Sequence, residues 1–414
     1  MKCTRSHLII VYLLTGAFLV GLGLFLFRLF TQGEQWATNP VNDHLSTVGS
    51  LAGTITDRNG VVLAETVDGE RHYNDNEAVR RATLHTVGDN TRFISTSVQN
   101  LFRSQLAGYN PLTGISLLAA SGKGNDIHLT LDSSLCAAAL EGLNGKKGAV
   151  AIYNYKTGEI LCMVSSPTYD PANRPDIEAD ESGQYEGVYL NNVLSSSYTP
   201  GSTFKIITCA AAVDNIPDIY QRTFTCNGSV VINGQTITCM ANHGNINFED
   251  GMSKSCNVVF AELAVELGKD KMTEAANKMG FNKSFEIEGI PTAKSVYDVT
   301  QANDGDLGWS GVGQYTNLEN PAHMMMLMGA IANGGRTTVP YFIDRITSPI
   351  SLPSHVGHGK TGEELLSSGA ASSLQQLMRY TVQNNYGDDL FPGLTVCAKT
   401  GTGEVGEGKE PNGW

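Results

Sequence analysis

The sequence predicts an α+β protein carried on a single N-terminal membrane-spanning helix. Three observations predict it: an uncharged apolar run near the N-terminus, paired β-rich runs around tight-turn signals, and separate apolar helical runs bounded by capping residues. The chain has 414 residues, 41% of them hydrophobic. That length exceeds one ordinary domain, and the composition supports a real core. A formal net charge of -13 argues against a nucleic-acid binder, which presents a basic face; it identifies no partner by itself.

Residues 8–27, LIIVYLLTGAFLVGLGLFLF, form a run of twenty residues without a charge, long enough to cross a bilayer as a helix. Lys2 and Arg5 precede it and keep the short N-terminus cytoplasmic. A cleaved signal peptide would have a shorter apolar region and a small-residue cleavage site, and RLFTQGEQ supplies none. Residues 1–31 are therefore read as cytoplasmic tail and uncleaved anchor, with everything after Arg28 outside the membrane. A polar linker, TQGEQWATNPVNDHLS, follows. SLAGTITDRNGVVLAET alternates β-formers around Asn59-Gly60 and reads as a hairpin. STSVQNLFRSQLAG reads as a helix. Residues 32–128 thus form a small membrane-proximal pedestal without catalytic residues. NDIHLTLDSSLCAAALEGL is a strand leading into a helix capped by Asp132 or Ser133, and residues 129–414 are assigned to the catalytic domain.

Within that domain, KGAVAIYNYKTGEILCMVSS is two strands around a turn at Lys156-Thr157-Gly158, whose glycine supplies the required φ. In PGSTFKIITCAAAVDN the residues Phe204, Ile206, Ile207, Ala210, Ala211 and Val213 leave almost no polar face, so the helix is central and buried. SCNVVFAELAVELG and KDKMTEAANKMG read as two helices, each closed by glycine. NPAHMMMLMGAIANGG has Asn320 as N-cap, Pro321 at the first helical position and Gly334 past the end; its methionines fill core. A second Lys-Thr-Gly, at Lys360, has Thr361 and Glu364 in capping-box spacing and reads as a helix start. The third, Lys399-Thr400-Gly401, ends the extended run 394–398 and reads as the end of a strand.

Eight cysteines are present. Cys226 and Cys239 flank NGSVVINGQTIT, two short β-like runs around an Asn233-Gly234 turn. An exterior location permits a disulfide between them. His243 lies close by, and zinc ranks below the disulfide because a fourth ligand is lacking. The remaining cysteines are read as small buried hydrophobes or free thiols.

The chemistry concentrates in three short stretches. Ser202 and Lys205 in PGSTFK are three apart, so a helix starting near Ser202 puts both on one face. The helix N-terminus favours a developing alkoxide. Lys205 acts as base only if burial or a second cation lowers its pKa, and Lys399 is that cation. Gly401 lets a substrate lie against the strand; the Thr402 and Ser202 N–H groups make an oxyanion hole. Ser255 and Asn257 in KSCNVV relay a proton and orient a substrate amide. Ser-x-x-Lys and Ser-x-Asn each occur once, and their order before Lys-Thr-Gly matches the set of penicillin-recognising serine enzymes. Singly, each is a capped helix start, a polar loop or a strand-end lysine.

With these motifs the chain resembles the class B penicillin-binding proteins, membrane-anchored peptidoglycan D,D-transpeptidases, in the penicillin-binding protein 2-like branch. TITDRNGVVLAE resembles the family's hairpin outside the membrane, with Ala52 where arginine is usual. GAVAIYNYKTGEILCMVSSPTYDPA and GVGQYTNLENPAHMMM match further segments, with Tyr315 and Asn320 replacing the usual Gly and Thr. The resemblance implies a five-stranded antiparallel sheet flanked by helices, as in the penicillin-recognising transpeptidases and β-lactamases. It implies Ser202 as nucleophile on the penultimate D-Ala carbonyl of a stem peptide, Lys205 as general base, Ser255 as proton shuttle and Asn257 on the substrate amide. Lys399, Thr400, Gly401 and Thr402 form the segment that binds the substrate, its terminal carboxylate at Lys399 and Thr402. β-Lactams acylate Ser202, no metal or organic cofactor is implied, and the usual partner is a SEDS-type membrane glycan polymerase. The family continues past PNGW, so the catalytic domain is expected to be incomplete at its C-terminus and less stable, or inactive. The competing readings are a D,D-carboxypeptidase or β-lactamase on the same scaffold, or a non-catalytic β-lactam sensor or wall scaffold.

Overall fold

The apolar run lies inside one continuous helix, Lys2–Ala37, in which Val11–Gln32 is long and apolar enough to cross a membrane. The structure is a computed structural model and describes residues 2–37, 52–110, 114–115, 124–406, 408 and 410–414; the polar linker beyond residue 37 lies outside the described residues. The chain divides into two units, the first comprising Met1–Ala137, Thr168–Tyr189 and Ile343–Gly357, the second Ala138–Pro167, Leu190–Phe342 and His358–Trp414. This differs from the linear boundary at 128/129, because two distant segments return to the first unit.

That unit is built on a mixed sheet in the order Pro353–Val356, Ile343–Thr347, Asp126–Leu129, Ile55–Thr56, Val62–Val67, Glu70–Tyr73. Ile55–Thr56 runs parallel to Asp126–Leu129, and Ile343 pairs Leu129 in an antiparallel ladder. The expected hairpin around Asn59-Gly60 is present, and Asp57 explains it. One carboxylate oxygen accepts the N–H groups of Asn59 and Val61 at 2.8 and 2.9 Å; the other accepts the Ser133 hydroxyl at 2.7 Å. One acid thereby closes a turn and ties it to the start of helix Ser133–Gly142, whose first turn Asp132 caps as expected, through the Leu135 N–H at 3.1 Å. The expected helix in STSVQNLFRSQLAG is two short ones, Val98–Leu101 and Arg103–Leu106. Arg80 on helix Glu77–Val87 grips Asp170 with two 2.7 Å bonds, and its guanidinium holds the Asp170 carboxyl well below the usual carboxylate range.

In the second unit the apolar sequence around Phe204 becomes the centre of the core. Helix Lys205–Asn215 buries Ile206, Ile207, Cys209, Ala210 and Ala211, at roughly 1.5–3 kcal/mol for each large apolar side chain. Phe204 stacks on Tyr297 at 5.2 Å and meets Phe281 edge-on at 5.3 Å. The two helices expected after Cys256 follow one another within Asn257–Lys278 and are separated at Gly268, whose φ of 75° and ψ of 167° are not helical. Asn320 caps helix Pro321–Ala332 through the His323 N–H, as its sequence requires.

Among the described residues the antiparallel pairing of this unit is seen as separate two-stranded ladders rather than one five-stranded sheet, among them Gly148–Tyr153 with Ile160–Ser166 and Arg336–Val339 with Lys360–Glu364. Tyr341 links them through backbone bonds to Gly158 and Ile160, both 2.9 Å. The first Lys-Thr-Gly is a turn, as read. Gly158 has φ 84°, and a Cβ there would stand 2.7 Å from the Val339 carbonyl oxygen. The second is not a helix start. Lys360–Glu364 is a strand, and the helix begins at Ser368, where the Ser367 hydroxyl accepts the Ala370 N–H at 3.1 Å. Pairing with Arg336–Val339 overrides a local capping pattern. The run 394–398 is also not a strand, since it has no ladder partner among the described residues; only Thr402–Gly403 pairs, with Asn412–Gly413.

Candidate active site

Ser202 lies in the 3-10 turn Gly201–Phe204, which passes directly into the helix beginning at Lys205. The three-residue spacing therefore stacks the two side chains, and Lys205 Nζ stands 3.0 Å from Ser202 Oγ. The turn is seated by glycines. The Gly201 N–H donates to the Gly313 carbonyl at 2.9 Å, and a Cβ on Gly313 would stand 1.8 Å from the Gly201 oxygen. On its other side Gly201 abuts the Thr402 backbone, where a Cβ would meet the carbonyl oxygen at 2.1 Å.

Ser255 occupies the break between helices Phe248–Ser253 and Asn257–Lys278. Its φ of 52° is a left-handed conformation that costs a non-glycine residue about 1–2 kcal/mol. The bend points its carbonyl and hydroxyl at the same ammonium: Lys205 Nζ lies 2.6 Å from Ser255 O and 3.1 Å from Ser255 Oγ. Asn257 Oδ1 accepts from Lys205 at 2.6 Å, while its Nδ2 donates to the Thr238 carbonyl at 2.8 Å. Asn257 therefore holds the lysine, and one Nδ2 hydrogen remains for the substrate amide that sequence reading assigned to it. Lys399 Nζ stands 3.0 Å from Ser255 Oγ. Ser202, Lys205, Ser255 and Lys399 thus form a continuous polar chain.

Burial shifts both lysines. Lys205 is fully buried, and desolvation, reinforced by the charge of Lys399, lowers its pKa to about 7. Burial lowers Lys399 to about 8. Phe260 closes over Lys205 with its ring centre 5.6 Å from Nζ.

The segment after Lys399 is placed differently from expectation. Gly401 bonds Trp414 in both directions, at 3.0 and 3.1 Å, so its backbone is engaged within the chain. Its missing Cβ makes room for the Pro200 carbonyl, which such an atom would approach to 2.7 Å. Thr402 is exposed and beside Gly201. Thr400 is held by Tyr386, whose hydroxyl accepts its N–H at 2.9 Å and lies 2.9 Å from its Oγ1. Tyr386 and Phe260 carried no signal in the sequence, because neither belongs to a motif with chemistry of its own.

The disulfide expected between Cys226 and Cys239 is not formed, and both are free thiols. The hairpin Ser229–Ile232 with Gln235–Thr238 exists as read. Cys226, however, lies beyond it and pairs with Gly244 in a separate ladder, while Cys239 Sγ lies 3.8 Å from Cys256 Sγ.

One buried acid went unread. Glu319 is fully buried, neither carboxylate oxygen has a hydrogen-bond partner, and its backbone pairs with Tyr198 at 2.7 and 2.9 Å. Desolvation raises its pKa from 4.5 to about 8. A raised folded pKa means that the contribution is complete below pH 4.5 and is lost as pH climbs through 8. Thermal stability is therefore expected to fall across that window by the equivalent of several kcal/mol, and Glu319→Gln to flatten the fall. Melting curves of both proteins from pH 5 to 9 check it; parallel curves would refute the assignment.

The chain is similar to known proteins in sequence and in fold. Residues 148–414 match the family model described as the penicillin-binding protein transpeptidase domain. The chain is 28% identical over 279 residues to "Peptidoglycan D,D-transpeptidase PbpA" of Mycobacterium tuberculosis, covering 63% of this chain and 56% of that protein. It is 25% identical to "Penicillin-binding protein 3" of Bacillus subtilis, over 82% of this chain and 53% of that one. The chain thus spans about half the length of these curated relatives. Among solved structures, the D,D-transpeptidase domain of a peptidoglycan glycosyltransferase from Eggerthella lenta superposes with a TM-score of 0.76 at 29% identity, covering 88% of this chain and 89% of that one. The ceftriaxone acyl-enzyme of M. tuberculosis penicillin-binding protein A superposes with a TM-score of 0.77 at 24% identity, covering 89% of each chain, and shares the fold.

Proposed function

We propose, since this chain belongs to the penicillin-binding protein transpeptidase family, that it is a serine D,D-transpeptidase that cross-links peptidoglycan stem peptides and is acylated by β-lactams. The observation that carries the reading is the unbroken chain Ser202 Oγ–Lys205 Nζ–Ser255 Oγ–Lys399 Nζ, with links of 3.0, 3.1 and 3.0 Å.

Neutral Lys205 directs its two N–H groups at Ser255 O and Asn257 Oδ1, both 2.6 Å away. Its lone pair is left to take the Ser202 hydroxyl proton. Ser202 Oγ bonds to the penultimate D-Ala carbonyl carbon, and the peptide C–N bond breaks. The proton passes from Lys205 through Ser255 to the departing amine, which leaves as D-Ala. An acceptor amine of a second stem peptide then attacks the ester, gives up its proton along the same path and restores the Ser202 hydroxyl. Lys399, as an ammonium, binds the substrate carboxylate with Thr402, and the N–H groups of Ser202 and Thr402 stabilise the oxyanion. The relatives named as D,D-transpeptidases support the substrate class. The apolar helix anchors the protein in the membrane with its catalytic unit outside, beside a SEDS-type glycan polymerase. Intact-mass analysis after exposure to penicillin tests the nucleophile. The wild-type chain is expected to gain one penicillin mass on the peptide holding Ser202, and Ser202→Ala none; an adduct on the variant would refute it.

A further inference from the structure

Lys399 Nζ meets Ser255 Oγ at 3.0 Å, yet the two residues lie 144 positions apart in the chain. No shared ladder holds them together. Among the described residues, 394–398 pairs with no strand, and Ser255 sits in the break between two helices. Two irregular segments do not keep one short contact unaided, because ordering their backbones costs entropy. Another element has to fix the spacing.

That element is helix Ser368–Thr381 with the π-turn that ends it, Val382–Tyr386. Leu374, Leu377 and Met378 seat the helix in the core. The Gly387 N–H closes the turn on the Val382 carbonyl at 2.9 Å, and such widened turns recur at functional sites. Two neighbouring side chains of the turn reach the two segments. Asn385 Nδ2 donates at 2.8 Å to the carbonyl of Ser253, the last residue of the helix before Ser255. The Tyr386 hydroxyl accepts the Thr400 N–H at 2.9 Å and shares a second 2.9 Å bond with Thr400 Oγ1. The helix repeats the pattern behind them. Tyr380 donates to Asp250 Oδ1 at 2.9 Å on the Ser255 side, and Arg379 donates to the Val396 carbonyl at 3.0 Å on the Lys399 side. Asn385 is exposed and Tyr386 half-buried, so neither is kept in place by core packing.

We propose that Asn385 and Tyr386 are positioning residues that together set the Ser255–Lys399 contact, Asn385 from the serine side and Tyr386 from the lysine side. The inference rests on the reading of the site as that of a serine transpeptidase acylated by β-lactams. Both residues act through a neighbour. Lys399 Nζ donates to the Thr400 carbonyl at 2.7 Å, so the ammonium leans on the residue that Tyr386 holds. Without that hydroxyl the Thr400 N–H loses its acceptor, and the ammonium drifts from the place where it meets a carboxylate. Asn385 steadies the entry to Ser255, whose φ of 52° persists only where the surroundings enforce it. The two therefore govern different parts of the reaction. Tyr386 governs capture of the substrate carboxylate, and Asn385 governs the proton path through Ser255 Oγ.

The test compares acylation of the full chain in detergent by benzylpenicillin and by its methyl ester, which lacks the free carboxylate. The wild-type chain is expected to react faster with the acid. Tyr386→Phe keeps the ring and removes the hydroxyl. It is expected to slow the acid by about tenfold, through a raised half-saturating concentration, and to leave the ester rate nearly unchanged, so the acid-to-ester ratio falls by the same factor. Asn385→Ala is expected to slow acid and ester alike by about tenfold, through a lowered limiting rate, with the ratio kept. Asn385→Asp, which keeps the size and loses the donor, repeats the measurement where the alanine variant does not fold. Asn384→Ala is the control, since Asn384 on the same turn donates to the Tyr380 carbonyl of its own helix at 2.9 Å; both rates are expected to match wild type. A wild-type chain that neither probe acylates would overturn the transpeptidase reading and the positioning role together. A wild-type chain that reacts, with an unchanged ratio in Tyr386→Phe or undiminished rates in the Asn385 variants, would overturn the positioning role alone.

Discussion

Lys205→Met is expected to slow penicillin acylation by about 10²–10⁴-fold, the usual share of a general base, while leaving the melting temperature close to wild type. Methionine keeps the unbranched stem inside the apolar helix and removes the nitrogen that reaches Ser202 Oγ at 3.0 Å. The same lysine sets the pH profile of the wild-type enzyme. Lys205 must be neutral to accept a proton, and its pKa is lowered to about 7, so acylation rises as pH passes that value. Lys399 must stay charged to hold a carboxylate, and its pKa is lowered to about 8, so the rate declines above it. The two ammonium groups meet at one hydroxyl, Ser255 Oγ. The bell, with its apparent midpoints, therefore belongs to the pair. Single-turnover acylation rates from pH 5.5 to 9.5 measure it. A flat profile, or one that falls throughout, would remove Lys205 from the base role.

Gly313→Ala is expected to be nearly as damaging without touching any reacting atom. The added methyl would stand 1.8 Å from the Gly201 carbonyl oxygen and 2.8 Å from Phe204 Cβ. Neither neighbour can yield cheaply, since one is backbone and the other belongs to the core around Tyr297. Gly313 also has φ 85°, which disfavours any side chain. The Ser202 turn must shift, and a displacement of about 1 Å of a reacting group costs on the order of 10²-fold in rate. The acylation rate should fall by that factor in protein that still binds to detergent micelles and melts cooperatively. A variant acylated at the wild-type rate would show that the turn is not seated on Gly313.

The motifs of the candidate site were legible because their geometry is local. Ser202 and Lys205 are neighbours on one helical turn, and that geometry follows from spacing alone. Asn320 and Pro321 announced their helix through capping rules that hold in any context. What failed was decided by partners far along the chain. Lys360-Thr361-Gly362 carries a fair capping pattern, yet Arg336–Val339 takes it into a ladder. Leu394–Ala398 has a strand's composition and finds nothing to pair with among the described residues. Gly401 was read as a platform for substrate, whereas its bareness accommodates the Pro200 carbonyl. The neighbours of Cys226, Cys239 and His243 were not legible either, since Cys256 joins them from between Ser255 and Asn257, thirty positions from Cys226. Only the fold of the intervening hairpin brings them within reach of each other.

The return of Ile343–Thr347 to pair with Asp126–Leu129 has a consequence for biosynthesis. A ribosome makes the chain from its N-terminus, so the sheet of the first unit waits, an inner edge unpaired, while more than two hundred further residues are synthesised. Closing so long a loop is entropically slow. The strand that completes the first unit thus reports that most of the second has already emerged, and an exposed strand edge is the state a nascent chain must survive until then.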